Sequence, residues 1–141
     1  MAGAAIDTNI LVYAAGLRRV EADEAKISAS ILLIADLTRS GLIQISAQAL
    51  AEFRHVLVRR SGLGSAAILT RLEKYLALGE AIPTSHSVLH EAFALAAVHG
   101  LQTYDAIILA AAAHGDCDIL YSEDMQHGFV WNGVTVVNPF V

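Results

Sequence analysis

At 141 residues the chain has the length of one domain, and it is apolar, with 55% hydrophobic and 16% charged residues against roughly 45–50% and 25% in ordinary globular domains. That balance excludes disorder, and a formal net charge of −5 argues against a nucleic-acid partner held by bulk basicity. A single cysteine, Cys117, excludes an internal disulfide framework or a CxxC metal knuckle and reads as a small, half-buried hydrophobe.

In chain order, residues 2–6 form a short apolar run consistent with a buried strand, ending at Asp7. A short helix follows over 10–15, stopped at Gly16. The next helix spans 20–39, with Glu21, Asp23 and Glu24 in its first turn and Arg39 in its last, as the helix dipole favours; Gly41 ends it. Residues 42–45 read as a second strand. Ser46 caps a helix running to Arg60, and another covers 65–78. Residues 80–83 read as a third strand, closed by Pro83. Ser85 or Ser87 caps a helix to His99, and Thr103 caps one over 104–114. Residues 118–121 give a fourth strand, Ser122-Glu123-Asp124 a turn, and 134–137 a fifth strand. Strands alternating with helices predict an α/β fold with a parallel sheet covered on both faces, one domain over 1–141. The longest apolar stretch, residues 106–113, falls well short of the roughly 20 residues a membrane span needs. The start, MAGAAIDTNI, has no basic n-region, so the protein is expected in the cytoplasm.

The acids are placed informatively. Asp7 follows the first strand and Asp124 lies just past the fourth, so both approach the rim where open α/β sheets bind ligands. Asp105 opens a helix that is otherwise Tyr, Ala, Ile and Leu, where a carboxylate finds little water. Glu52 flanks the stripe of Leu50, Phe53 and Leu57 and can reach either the site or solvent. Each also has a plain structural role: Asp7 as a cap, Asp105 as a dipole-stabilising acid, Glu52 as a solvated surface residue, Asp124 as a turn residue. Together they repel. Two carboxylates 4 Å apart cost roughly 4 kcal/mol at an effective dielectric of 20, so a converging group takes up protons or binds a cation. Oxygen donors without Cys or clustered His select Mg²⁺ or Mn²⁺ over zinc, and such ions serve phosphodiester hydrolysis. Arg18-Arg19 and Arg59-Arg60 are the basic pairs that could meet a phosphate.

Asp7-Thr8-Asn9 after the first strand, Ala51-Glu52-Phe53, the run YDAIILAAA from Tyr104, SEDM from Ser122 and the ending VTVVNPF resemble PIN domains, more narrowly the VapC-type toxins of bacterial toxin–antitoxin pairs. The resemblance covers essentially the whole chain. It implies a three-layer α/β/α fold around a central, mainly parallel sheet of about five strands, and a metal-dependent endoribonuclease. Asp7 and Asp105 would be the principal Mg²⁺ or Mn²⁺ ligands. Glu52 would be a ligand or would orient the attacking water, and Asp124 would complete the set near the Ser122 hydroxyl. Glu123, directly before Asp124, leaves open which of the two faces the metal. The resemblance further implies an RNA substrate, a homodimer and a cognate antitoxin that blocks the site.

Rival chemistries fit less well. An Asp-nucleophile phosphatase wants an acid two residues after Asp7, where this chain has Asn9, which cannot act as a carboxylic acid. Gly62-Leu63-Gly64 lies between helices and not after a strand, against a dinucleotide fingerprint. His90-Glu91 lacks the second histidine of HExxH, with Ala94 in its place, and His86 with His90 reads as a solvated pair. The serious alternative is a catalytically silent PIN-like scaffold that binds RNA or protein.

Overall fold

The structure, a computed structural model, describes residues 2–141. Strand β1 (Gly3–Ile6) leads into helix α1 (Thr8–Ala14), a single 3₁₀ turn at Glu21–Asp23, α2 (Glu24–Ser40) and β2 (Ile43–Gln44). Four helices follow, α3 (Ala47–Arg60), α4 (Ser65–Leu76), α5 (His86–His99) and α6 (Thr103–His114). The chain ends with β3 (Cys117–Tyr121), β4 (Val130–Trp131) and β5 (Val134–Val137). The sheet order is β2-β1-β3-β5-β4. All neighbours are parallel except β4, which runs antiparallel to β5. No helix among the described residues is long and apolar enough to cross a membrane.

β1 is buried along its whole length, as a central parallel strand covered on both faces should be. Its small residues let helices approach closely. Ala4 pairs with Ile43 on one side and Ile119 on the other. The chain leaves β1 toward β2 and later returns to β3 on β1's opposite side, which makes the carboxyl ends of β1 and β3 a topological switch point. The core joins Ile6, Ile10 and Leu11 to Phe53, Leu57, Val88 and Leu120. Helix α6 is buried from Ala106 to Ala112, and its alanines allow the extensive contact it makes with α5.

Three local expectations change. Residues 80–83 do not form a strand; Ile82 makes only an isolated bridge to Ser46, exchanging hydrogen bonds with Ile45 and Ala47. Pro83 withholds the next donor. The sheet still has five strands because Val130–Trp131 pairs with Val134–Val137 through a two-residue turn, Trp131 opposite Val134. Asn132 and Gly133 take φ of 49° and 82°, the left-handed pair that an Asn-Gly hairpin turn requires. At α6 the cap is Gln102, not Thr103: its Oε1 accepts from the Tyr104 and Asp105 amides at 3.0 and 3.1 Å. Ser85 caps α5, its Oγ accepting from the Val88 amide. Gly115 does end α6, but not in a left-handed turn; a Cβ there would lie 2.6 Å from Ile82 Cδ1 and 2.8 Å from Gln44 Oε1.

Candidate active site

Asp7, Glu52, Asp105 and Asp124 line one cleft of about 230 Å³, with Thr8, Asn9, Val12, Tyr13, Leu17, Arg19, Val56 and Arg60. They come from four separate stretches: the end of β1, the middle of α3, the first turn of α6 and the turn after β3.

Asp7 is 3% exposed and holds two positions at once. Its amide donates to Tyr121 O at 2.9 Å, joining the ends of β1 and β3. Its Oδ1 accepts from the Thr8 amide at 2.7 Å, capping α1, and its Oδ2 accepts from Ser122 Oγ at 2.6 Å. Capping and facing the cleft are therefore compatible for this residue. Ser122, fully buried, also accepts from the Met125 amide at 3.3 Å, which sets the turn that presents Asp124. The Thr8 hydroxyl donates to Glu52 Oε2 at 3.1 Å and draws the half-buried glutamate inward from α3. Because Gln102 takes the capping bonds of α6, the Asp105 carboxylate is left to face the cleft.

The electrostatics follow from that crowding. Burial pushes Asp7 up to about 6 from 3.8; the bonds from Ser122 and Thr8 oppose it, and the charges of Asp105 and Asp124 add to it. Asp105 is likewise pushed up to about 6, by burial first and then by Asp124 and Glu52. Burial also raises Glu52, with the Thr8 bond opposing and Asp7 adding. Paired titratable groups so perturbed in a cleft mark functional-site candidates. The donor set has the chemistry of a hard divalent cation site: carboxylates, plus Asn9 Oδ1, buried in the cleft wall without a hydrogen-bond partner. Among the described residues, no three His, Cys, Asp or Glu side chains stand in an arrangement that could hold an ion as they are.

Glu123 and Asp124 part company. Asp124 lines the cleft, whereas Glu123 accepts from Tyr13 Oη at 2.7 Å and pairs with Lys26 and Arg19. Sequence reasoning gave no role to Thr8, Asn9 or Tyr13. For Thr8 and Asn9 the signal was position, since they directly follow an acid at a strand's carboxyl end; for Tyr13 there was none. Of the basic residues, Arg19 and Arg60 reach the cleft. Arg18 instead pairs with Glu24 at 2.7 Å. Cys117 is buried and its thiol is pushed up to about 11, so it is chemically quiet.

Comparison with known proteins bears on the fold. Ten chains of solved structures match. A toxin–antitoxin complex from Klebsiella pneumoniae aligns with a TM-score of 0.68 at 22% identity, over 97% of this chain and 98% of that one. VapBC2 from Rickettsia felis, bound to a DNA fragment from its promoter, aligns with a TM-score of 0.66 at 17% identity, over 94% and 96%. FitAB bound to an IR36 DNA fragment aligns with a TM-score of 0.68 at 22% identity, over 98% and 96%. At these identities the likeness is one of fold. No curated protein matches the sequence. The family model that describes the PIN domain matches residues 4–128, spanning β1 to the turn beyond Asp124, and by that match the chain belongs to the PIN-domain family.

Proposed function

We propose that this chain is a Mg²⁺- or Mn²⁺-dependent endoribonuclease that acts as the toxin of a toxin–antitoxin pair. The observation that carries the reading is the convergence of four carboxylates from distant parts of the chain on one cleft, two of them raised to about 6. Asp7 and Asp105 are the proposed metal ligands. A divalent ion bound there would polarise the scissile phosphate and lower the pKa of water. Glu52, steadied by Thr8, would orient the attacking water and accept its proton. Asp124, which lines the cleft, would complete the acidic set, while Ser122 fixes the Asp7 carboxylate by its hydroxyl.

The toxin role draws support from the aligned structures, one described as a toxin–antitoxin complex, one as VapBC2 with a promoter DNA fragment and one as FitAB with an IR36 DNA fragment, so the proposed partner is a cognate antitoxin. A homodimer is proposed as well, since the surface carries large exposed hydrophobics such as Phe93, Val98 and Val130. The cytoplasm is where such a toxin would meet its RNA. A silent scaffold is the competing reading, favoured by the lack of a ready ion-holding trio among the described residues.

Inducible expression without the partner should arrest growth and cut RNA in Mg²⁺ or Mn²⁺. Asp7→Ala, Glu52→Ala or Asp105→Ala should abolish both effects, and co-expression of the antitoxin should suppress them. A well-folded parent protein that neither slows growth nor cuts cellular RNA would establish the scaffold.

A further inference from the structure

The carboxylate cleft poses a problem for any polyanionic substrate: a chain of net charge −5 gathers four acids where a phosphate must approach. A cation held at the rim would offset that repulsion. Lys26 is engaged, with its ammonium paired to Glu123 and Asp23 and set over the rings of Tyr13 and Phe140 at 5.7 Å from each. Arg18 is engaged with Glu24. Arg19 is different. Its backbone is pinned by the Asp23 carboxylate, which accepts from its amide at 3.0 Å. One guanidinium nitrogen donates to Tyr13 Oη at 3.0 Å, and Glu123 Oε1 lies 3.6 Å from it. The side chain is still 66% exposed, lines the cleft, and has further N–H donors free to meet a phosphate in a fixed fork.

We propose that Arg19 contacts a phosphate of the single-stranded RNA entering the cleft, and that Glu123 is a positioning residue that holds it there through Tyr13. This rests on the ribonuclease reading above. Tyr13 Oη is the shared atom: it donates to Glu123 and accepts from Arg19, so one hydroxyl fixes the guanidinium relative to the carboxylate. Phe140 packs edge-on against the Tyr13 ring at 5.5 Å, so the chain's C-terminal segment buttresses the arrangement. Glu123 is 14% exposed and neutralised by two cations; its charge organises the rim and adds little to the repulsion inside the cleft.

The test is binding of a labelled mixed-sequence RNA 12-mer across a range of KCl, with an Asp105→Asn background so that the proposed site cannot cut it. Arg19→Ala should weaken binding by roughly tenfold or more and flatten the salt dependence by about 0.7 of a slope unit. Arg39→Ala, the same charge change at a distant surface pair with Asp36, should change the affinity far less. Glu123→Gln and Tyr13→Phe should each weaken binding about two- to fivefold without changing the slope. Added to Arg19→Ala, neither should weaken it further, because both act through Arg19. Arg19→Ala binding like its background refutes the proposal while the ribonuclease reading stands. Additive losses in the double variants refute the positioning role of Glu123. A background protein that binds no RNA refutes the proposal, and a parent protein that cuts none in Mg²⁺ or Mn²⁺ overturns the ribonuclease reading as well.

Discussion

Replacing Asp7 by asparagine should make the metal-free protein more stable at neutral pH. The carboxylate is 3% exposed and raised from 3.8 to about 6, a shift that corresponds to about 3 kcal/mol of differential interaction between its two protonation states. Since the folded-state value lies above the unfolded one, the penalty is absent below pH 3.8, grows between pH 3.8 and about 6, and is complete above that. Asparagine keeps an oxygen to cap the Thr8 amide and carries no charge. Its amide nitrogen cannot accept the Ser122 hydroxyl, whose loss as a donor costs about 1 kcal/mol. The expected gain is then about 1–2 kcal/mol, or roughly 3–8 °C in melting temperature for a domain of this size. Thermal melts in EDTA from pH 4 to pH 8 test it: the variant's advantage should open between pH 4 and 6 and then level off. Saturating Mg²⁺ should reverse the ranking, since an ion at a hundredfold excess over its Kd adds about 2.7 kcal/mol to the parent alone. An asparagine variant that melts well below the parent at pH 7 in EDTA, or a difference independent of pH, would refute the buried-charge reasoning and leave Asp7 as a cap only.

Calorimetric titration with Mn²⁺ should give no measurable binding to Asp7→Asn or Asp105→Asn, whereas zinc should bind the parent no better than Mn²⁺ does. Thr8→Val removes the bond that lowers Glu52; metal affinity or activity should fall roughly 10–100-fold, with the acidic limb of the pH–rate profile moving to higher pH. Leu109→Ala, at a fully buried position of α6, should cost about 2–5 kcal/mol in denaturant unfolding. Gly133→Val forces a β-branched residue to φ 82° and should cost about 1–3 kcal/mol, loosening the β4–β5 hairpin in amide exchange while the cleft stays intact.

The sequence made the large periodic elements readable because each carries its own punctuation: Ser46 and Ser85 as caps, Gly41 and Gly100 in the left-handed turns that close α2 and α5. The acids were legible by position, because a residue just past a strand's carboxyl end has few places to point. What stayed hidden was side-chain competition. Gln102 takes the cap from Thr103 because its longer side chain folds back onto two amides. Residues 80–83 have strand-like content, yet they find only Ser46 to pair with. The Asn132-Gly133 turn was a signal present in the sequence and passed over, since the strand it introduces has only two residues. The separation of Glu123 from Asp124 depended on Tyr13, Arg19 and Lys26, over a hundred positions away in the chain for Tyr13, and no local pattern encodes such a distance.

The outermost strands, β2 and β4, are two residues each. A strand that short offers too few unpaired amides and carbonyls to template a neighbour, so the sheet is blunted at both margins. Copies of the chain, or any other protein meeting it, would have to engage helical faces and loops instead of adding a strand. The apolar surplus of the sequence can therefore be carried on the outside, at residues such as Phe93 and Val98 on α5, with less hazard of fibrous self-assembly than an open-edged sheet of equal hydrophobicity would bring.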